Sequence, residues 1–141
     1  MIEAGLRTLL MEEATIAALA QPRAIDGISF PAVFVDVPVQ GFAPPFLVIS
    51  VIDTDPLVAM DGTSGLMDQA VSIDAYHPDS GNSKALAAAV SDFLKDYTGP
   101  AGDDTINAVI WKNATDHQIW TQDGRDVRYY VRSLSFRIQH S

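Results

Sequence analysis

Cysteine is absent from all 141 residues. That removes disulfides, thiolate nucleophiles and cysteine-ligated zinc together, and it suits a reducing compartment. Long apolar runs are also missing: none approaches the roughly 20 residues that carry a helix across a bilayer. The start Met1-Ile2-Glu3-Ala4 lacks the basic stretch of a signal peptide, so a soluble protein made and kept inside the cell is expected. Positive charge is scarce, with 9 Lys and Arg against 18 Asp and Glu and a net charge of -9. A molecule so charged repels phosphate backbones, which argues against tight nucleic-acid binding. Histidine is rare as well. His77, His117 and His140 are isolated from one another, without the short spacing that places two metal ligands on one helical face or turn.

What is present is globular: 48% hydrophobic and 19% charged residues. A chain of this length buries roughly 70% of its unfolded surface, enough for one core, and residues 1–141 are expected to form a single domain. Charge is uneven along it. Residues 1–104 hold 15 acidic and 4 basic side chains, residues 105–141 hold 3 and 5. Arginines spread over a solvated strand face account for this, and so do complementary faces in an assembly.

Residues 2–20 place Ile2, Leu6, Leu9, Leu10, Ala14 and Ala17 at helical spacing, with Gln21-Pro22 as the stop. The next 25 residues carry five prolines and read as a long connection with a short strand at 32–37; its apolar residues fit either a contact surface or a lid over the core. Residues 46–54 are apolar on both faces, the pattern of a strand covered on both sides. Residues 65–77 alternate, with Met67, Val71, Ile73 and Ala75 on one face and Asp68, Ser72, Asp74 and Tyr76 on the other. The segment 55–64 between them is too long for a two-residue hairpin and is expected to project as an exposed arm.

Ser80 or Asn82 is the expected N-cap of a second helix, whose face is Leu86, Val90, Phe93, Leu94 and Tyr97 and whose end is Gly99-Pro100. Ile106, Ala108 and Ile110 begin a third strand and residues 127–138 form a fourth, with a polar loop at 115–126. The order α-β-β-α-β-β predicts an α+β fold: a two-layer sandwich of a mainly antiparallel four-stranded sheet with both helices on one face.

No constellation of reaction chemistry emerges, and no catalytic, metal or cofactor-binding residue is assigned. Asp53-Thr54-Asp55 starts like a calcium loop, but Ser64 stands where a bidentate glutamate is required. Gly62-Thr63-Ser64-Gly65 is one residue short of a nucleophile elbow. The carboxylate pairs Asp103-Asp104 and Asp53/Asp55 read as solvated surface in so acidic a protein. Trp111, Trp120, Tyr129 and Tyr130 read as core and interface packing, because base stacking also needs a cationic groove. Arg125, Arg128, Arg132 and Arg137 fall on both faces of a strand and make no single basic stripe.

The first helix, the proline-rich connection, the strand Phe46 to Thr54, the turn Asp61-Gly62-Thr63-Ser64-Gly65-Leu66 leading into Val71-Ser72-Ile73-Asp74-Ala75-Tyr76, the alanine-rich helix and the closing strand together resemble the tail-completion family of tailed phages. The resemblance covers nearly the whole chain. It implies a non-enzymatic virion protein of the tail terminator kind, assembled in the host bacterial cytoplasm. As such it would be a homohexameric ring capping the tail tube and joining it to the head connector or stopper, with DNA passing through its lumen, in a phage, prophage or gene transfer agent. Asp61, Gly62, Thr63, Ser64 and Gly65 are then expected to contact the major tail tube protein or the connector. Another neck protein, a stopper or adaptor, is the alternative within that class; a small enzymatic or ligand-binding α+β domain is the alternative outside it.

Overall fold

The computed structural model describes residues 2–13, 16, 23–25, 28–30, 33–36, 45–59, 62–95, 97–102, 104–120 and 127–140. Two helices are found among them, α1 (Ile2–Glu12) and α2 (Ser80–Leu94). Of the strands, β1 (Arg23–Ile25) and β2 (Ile28–Phe30) form a small hairpin of their own. The others are β3 (Val33–Val35), β4 (Phe46–Ala59), β5 (Gly62–His77), β6 (Gly99–Ala101), β7 (Asp104–Trp120) and β8 (Val127–His140). They make one six-stranded sheet in the order β3-β4-β5-β8-β7-β6, antiparallel except where β3 runs parallel to β4.

This corrects the expected four-stranded antiparallel sandwich. The sheet is mixed, has six strands and is curled into a half-barrel. The two additional strands are each three residues long: β3 lies within the short strand allowed at 32–37 and joins the sheet beside β4, whereas β6 holds Gly99-Pro100, so periodicity does not distinguish it from loop. They lie at opposite ends of the strand order, yet α1 packs against both β3 and β6. Arg7 Nε donates to the Val33 carbonyl at 2.9 Å, and two residues away Gly5 lies against Ala101. A Cβ on Gly5 would sit 2.1 Å from the Ala101 carbonyl oxygen, so only glycine allows this approach. The helix thereby closes the seam that the curled sheet leaves open.

The core follows the expected periods. Ile2, Leu6 and Leu10 of α1 and Leu86, Val90 and Leu94 of α2 recur every four residues and are buried. Between the helices and the sheet lie Leu47, Ile49, Val71, Ile73, Leu134, Phe136 and Ile138, alternate residues of β4, β5 and β8. Ser83, also buried, donates its hydroxyl to the Ala75 carbonyl at 3.0 Å and ties α2 to β5. The opposite face of β4 is covered at its start: Phe46 stacks on Tyr76 with ring centroids 4.7 Å apart and meets Phe34 edge-on at 5.8 Å.

Several boundaries differ from the expectation. The N-cap of α2 is Asp79, whose carboxylate accepts from the Asn82 amide at 3.3 Å. A side chain at the position before Ser80 is simply better placed for the same donors. The helix ends at Leu94, and Gly99-Pro100 instead opens β6, where Gly99 takes a φ of 135°. β7 runs through residues 115–120, which the sequence suggested were loop. Three register shifts in β7 break its alternation and hide its length. Of the first helix as expected, residues 14–15 and 17–20 lie outside the described residues, as do 37–44 of the proline-rich connection and 121–126 of the polar loop.

Candidate assembly surfaces

The loop expected to make contacts is the turn of a long hairpin. β4 and β5 pair out to Ala59↔Gly62, leaving two residues between them. This overturns the expectation that the connection is too long for a two-residue hairpin: the strands continue, with register shifts after Val51 and Pro56, and absorb it. Gly62, Thr63, Ser64 and Gly65 open β5, while Asp61 lies outside the described residues. β5 pairs with β8 only from Met67 onwards. Residues 62–66 therefore have β4 as their one partner among the described residues, and this end of the hairpin stands clear of the sheet as an arm.

Among the described residues, two long strand edges are open. β3 covers β4 only as far as Ile49, where the Asp36 amide donates the last bond at 2.8 Å. β6 covers β7 only from Asp104 to Ile106. Among the described residues, 50–59 of β4 and 107–120 of β7 then pair on one side alone. Among the described residues, the large hydrophobic side chains that stand exposed lie on these two strands: Ile52 at 66% on β4, Ile110 at 45% and Trp111 at 48% on β7. Ile52 occupies a register shift between Val51 and Asp53. The expected burial of β4 on both faces holds for Phe46, Leu47, Val48 and Ile49 and fails there. Trp111 was read as core or interface; the polar neighbours Lys112, Asn113, Thr115 and Asp116 were the signal that β7 is exposed.

Trp111 walls a cleft of about 390 Å³ between α2 and β7, together with Lys84, Ala88, Ser91, Arg132 and Leu134. A smaller cleft of about 230 Å³ opens at the start of α2, lined by Ser83, Asp116, His117, Gln118 and Tyr130 among others. Arg132 spans from one to the other, its Nη1 donating to both carboxylate oxygens of Asp116 at 2.8 and 3.0 Å. On the opposite face Arg137 Nε donates to Asp68 at 3.0 Å, which ties β8 to β5.

Among the described residues, His140 is a buried polar side chain at the far end of the sheet. Its Nε2 donates to the Gln69 side-chain oxygen, and its Nδ1 lies 3.7 Å from Asp104 Oδ1. Burial lowers its pKa from the ordinary histidine value; the nearby Asp104 opposes that shift. His77 and His117 are not brought to it, and the described residues hold no group of three or more His, Asp or Glu that could bind a metal ion. Of the carboxylate pairs, Asp104 faces His140 and Asp103 lies outside the described residues.

Residues 4–140 match the model of the tail completion protein gp17 family. The chain belongs to that family. Membership makes it a structural protein of the virion tail. No curated protein matches the chain. Among solved structures it is similar to a chain in the virion of a native gene transfer agent particle, with a TM-score of 0.66 and 21% identity over 99% of this chain and 93% of that one. That likeness establishes a shared fold. No helix of this tail completion protein is long and apolar enough to cross a membrane among the described residues.

Proposed function

We propose that this tail completion protein is a tail terminator: a homohexameric ring that caps the tail tube, joins it to the head connector and lets DNA pass through its lumen. The observation that carries this reading is the family match along 137 of 141 residues, from 4 to 140. The similarity to a chain of a gene transfer agent virion supports it. So does the net charge of -9, because a lumen lined by carboxylates lets duplex DNA slide where a basic one would hold it through phosphate contacts. In this reading the protein acts through shape and self-association.

In this reading Asp61, Gly62, Thr63, Ser64 and Gly65 contact the tail tube protein or the connector, and the connection at 36–45 contributes to that contact. The arm supports this by extending past β8, so its tip is presented beyond the sheet. Replacing residues 61–65 by a Gly/Ser linker of equal length is expected to leave the circular dichroism spectrum and melting temperature nearly unchanged and to abolish head-to-tail joining in electron micrographs. Normal infectious particles from that variant would refute the contact. Purified protein that decorates isolated connectors and never tube ends would make it a stopper or adaptor instead.

A further inference from the structure

We propose that the cleft between α2 and β7 receives residues 52–55 at the base of the arm of a second copy of this chain, with Ile52 seated against Trp111. Neighbours in the ring are then joined head to tail. This inference rests on the ring reading above and names the surfaces that make it.

Shape and polarity fit on both sides. Ile52 is the most exposed large hydrophobic among the described residues, 66% accessible where β4 bulges out of register. The cleft offers Trp111, Ala88 and Leu134 as apolar walls in a volume of about 390 Å³, open to solvent beside an exposed tryptophan. An aliphatic side chain inserted there removes apolar surface of both partners from water.

Charge fits as well. Asp53 and Asp55 follow Ile52 in sequence, whereas Lys84 and Arg132 border the cleft and Lys112 follows Trp111. The hairpin that supplies the insert, residues 46–77, contains five aspartates and no lysine or arginine. Opposite charge around an apolar centre fixes which surface meets which and opposes the pairing of like with like.

Topology allows a head-to-tail contact. The insert and the cleft lie on β4 and β7, the second and fifth strands of the sheet order, so one molecule presents the two halves on different sides. A contact between two different patches propagates from copy to copy and closes when its rotation closes, which is how a ring is generated. Addition of a neighbour's strand to β7 is disfavoured by its register shifts, at Asn107, Lys112 and near Trp120, so side chains rather than a continuous ladder make the joint.

The absence of cysteine makes a direct test clean, since any disulfide must come from introduced thiols. Ile52 and Ala88 are both exposed, so Ile52→Cys and Ala88→Cys are expected to fold normally. The doubly substituted protein, oxidised in the presence of tail tubes and run without reductant, should give a ladder ending at the hexamer. Each single variant alone should give no crosslink, and an equal mixture of the two should give dimers. Trp111→Ala should retain the melting temperature within a few degrees and lose ring assembly at least tenfold in concentration. Rings seen in micrographs of the double variant without any crosslink would overturn the joint while leaving the ring intact. Crosslinked dimers from either single variant would overturn it in favour of a two-fold contact. Absence of rings and of crosslinks even on tube ends would overturn both the joint and the terminator reading.

Discussion

The hairpins β4–β5 and β7–β8 are of similar length and are separated in sequence by α2, yet they meet the rest of the molecule differently. In the first, residues 62–66 leave the sheet and pair with β4 alone; in the second, β8 stays paired to β5 from Tyr130 to His140 and β7 becomes the edge. The first hairpin carries five aspartates and no lysine or arginine, whereas residues 104–140 carry five lysines and arginines against four aspartates. What separates the buried from the exposed parts of both is therefore not strand propensity, which they share, but where a third strand or a helix ceases to cover them. The uncovered stretches hold the exposed Ile52, Ile110 and Trp111, and hydrophobic residues left on open edges are characteristic of surfaces that meet a partner.

The sharpest way to break this contrast is to place one substitution in both environments. Ile73 is fully buried opposite Ile49 and Leu134, so Ile73→Asp puts an unpaired charge in the core and is expected to cost more than about 4 kcal/mol, enough to unfold the protomer. Val71→Asp should act alike. Ile52→Asp, on the same hairpin but exposed, should cost less than about 0.5 kcal/mol and affect assembly instead. Asp74→Ser removes the acceptor of the 3.1 Å bond from Ser72 and should cost about 1 kcal/mol at most. Chemical denaturation of the four variants gives the ranking, and an Ile52→Asp protein that unfolds like Ile73→Asp would show that the open edge is structural.

The seam closed by α1 gives the second largest effect. Gly5→Ala forces a methyl group against the Ala101 backbone, and with little room to relax on a three-residue strand the expected loss is about 1–3 kcal/mol. Thr8→Ala, one turn on and exposed, loses only a hydroxyl bonded to the Ala4 carbonyl of its own helix and should change stability by about 0.5 kcal/mol or less. Amide exchange sharpens the point: Gly5→Ala should deprotect β6 and α1 before β5 and β8.

How much of this was legible in the sequence follows the same line between covered and open structure. The amphipathic face of α2 and the alternation of Val71, Ile73 and Ala75 are strong periodic signals, and each lies where neighbours on both sides enforce the period. β6 has no period to read, because three residues cannot show one, and the short strand allowed at 32–37 gives no sign that it pairs with β4, so the curled six-stranded sheet is not legible. The proximity of Gly5 to Ala101 depends on closing the seam, and that of His140 to Asp104 on the register of β8 against β7, neither of which a local pattern encodes. Ile52 looked like one more core residue; only the register shift after Val51 turns it outward. The family resemblance rests on the residues of the whole chain rather than on exact strand boundaries, and the family match over residues 4–140 bears it out although the expected order of elements does not hold.

At the far end of the sheet, His140 couples stability to pH. Burial holds its folded-state pKa below the ordinary 6.5, so the unfolded chain takes up this proton first as pH falls. Its contribution is complete above pH 6.5 and is lost progressively below, as protonation puts a charge into the buried site with only Asp104 and Glu3 to offset it. His77 has the same sign: burial lowers its pKa, with the Asp79 carboxylate opposing, and its Nδ1 accepts the Asp79 amide at 2.9 Å. Denaturation midpoints at a series of pH values should fall on acidification from 7 toward 5, and His140→Gln should flatten that slope within this window alone. An unchanged slope in His140→Gln would assign the effect elsewhere.

The smallest expected effect compares two arginines on opposite faces of β8. Arg137 reaches Asp68 across the junction of the two hairpins, with side chains 30% and 15% exposed, whereas Arg132 reaches Asp116 within the second hairpin, with 28% and 53% exposed. A more open carboxylate interacts through water and gains less from its partner. Asp68→Asn is therefore expected to cost about 1 kcal/mol and Asp116→Asn at most about 0.5 kcal/mol. Double-mutant cycles with Arg137→Gln and Arg132→Gln isolate each pair, and added salt should erase the Asp116 coupling while leaving part of the Asp68 one. Equal couplings would mean that the junction between the hairpins is no drier than the edge of β7, which removes the ground for treating one hairpin pair as covered and the other as open.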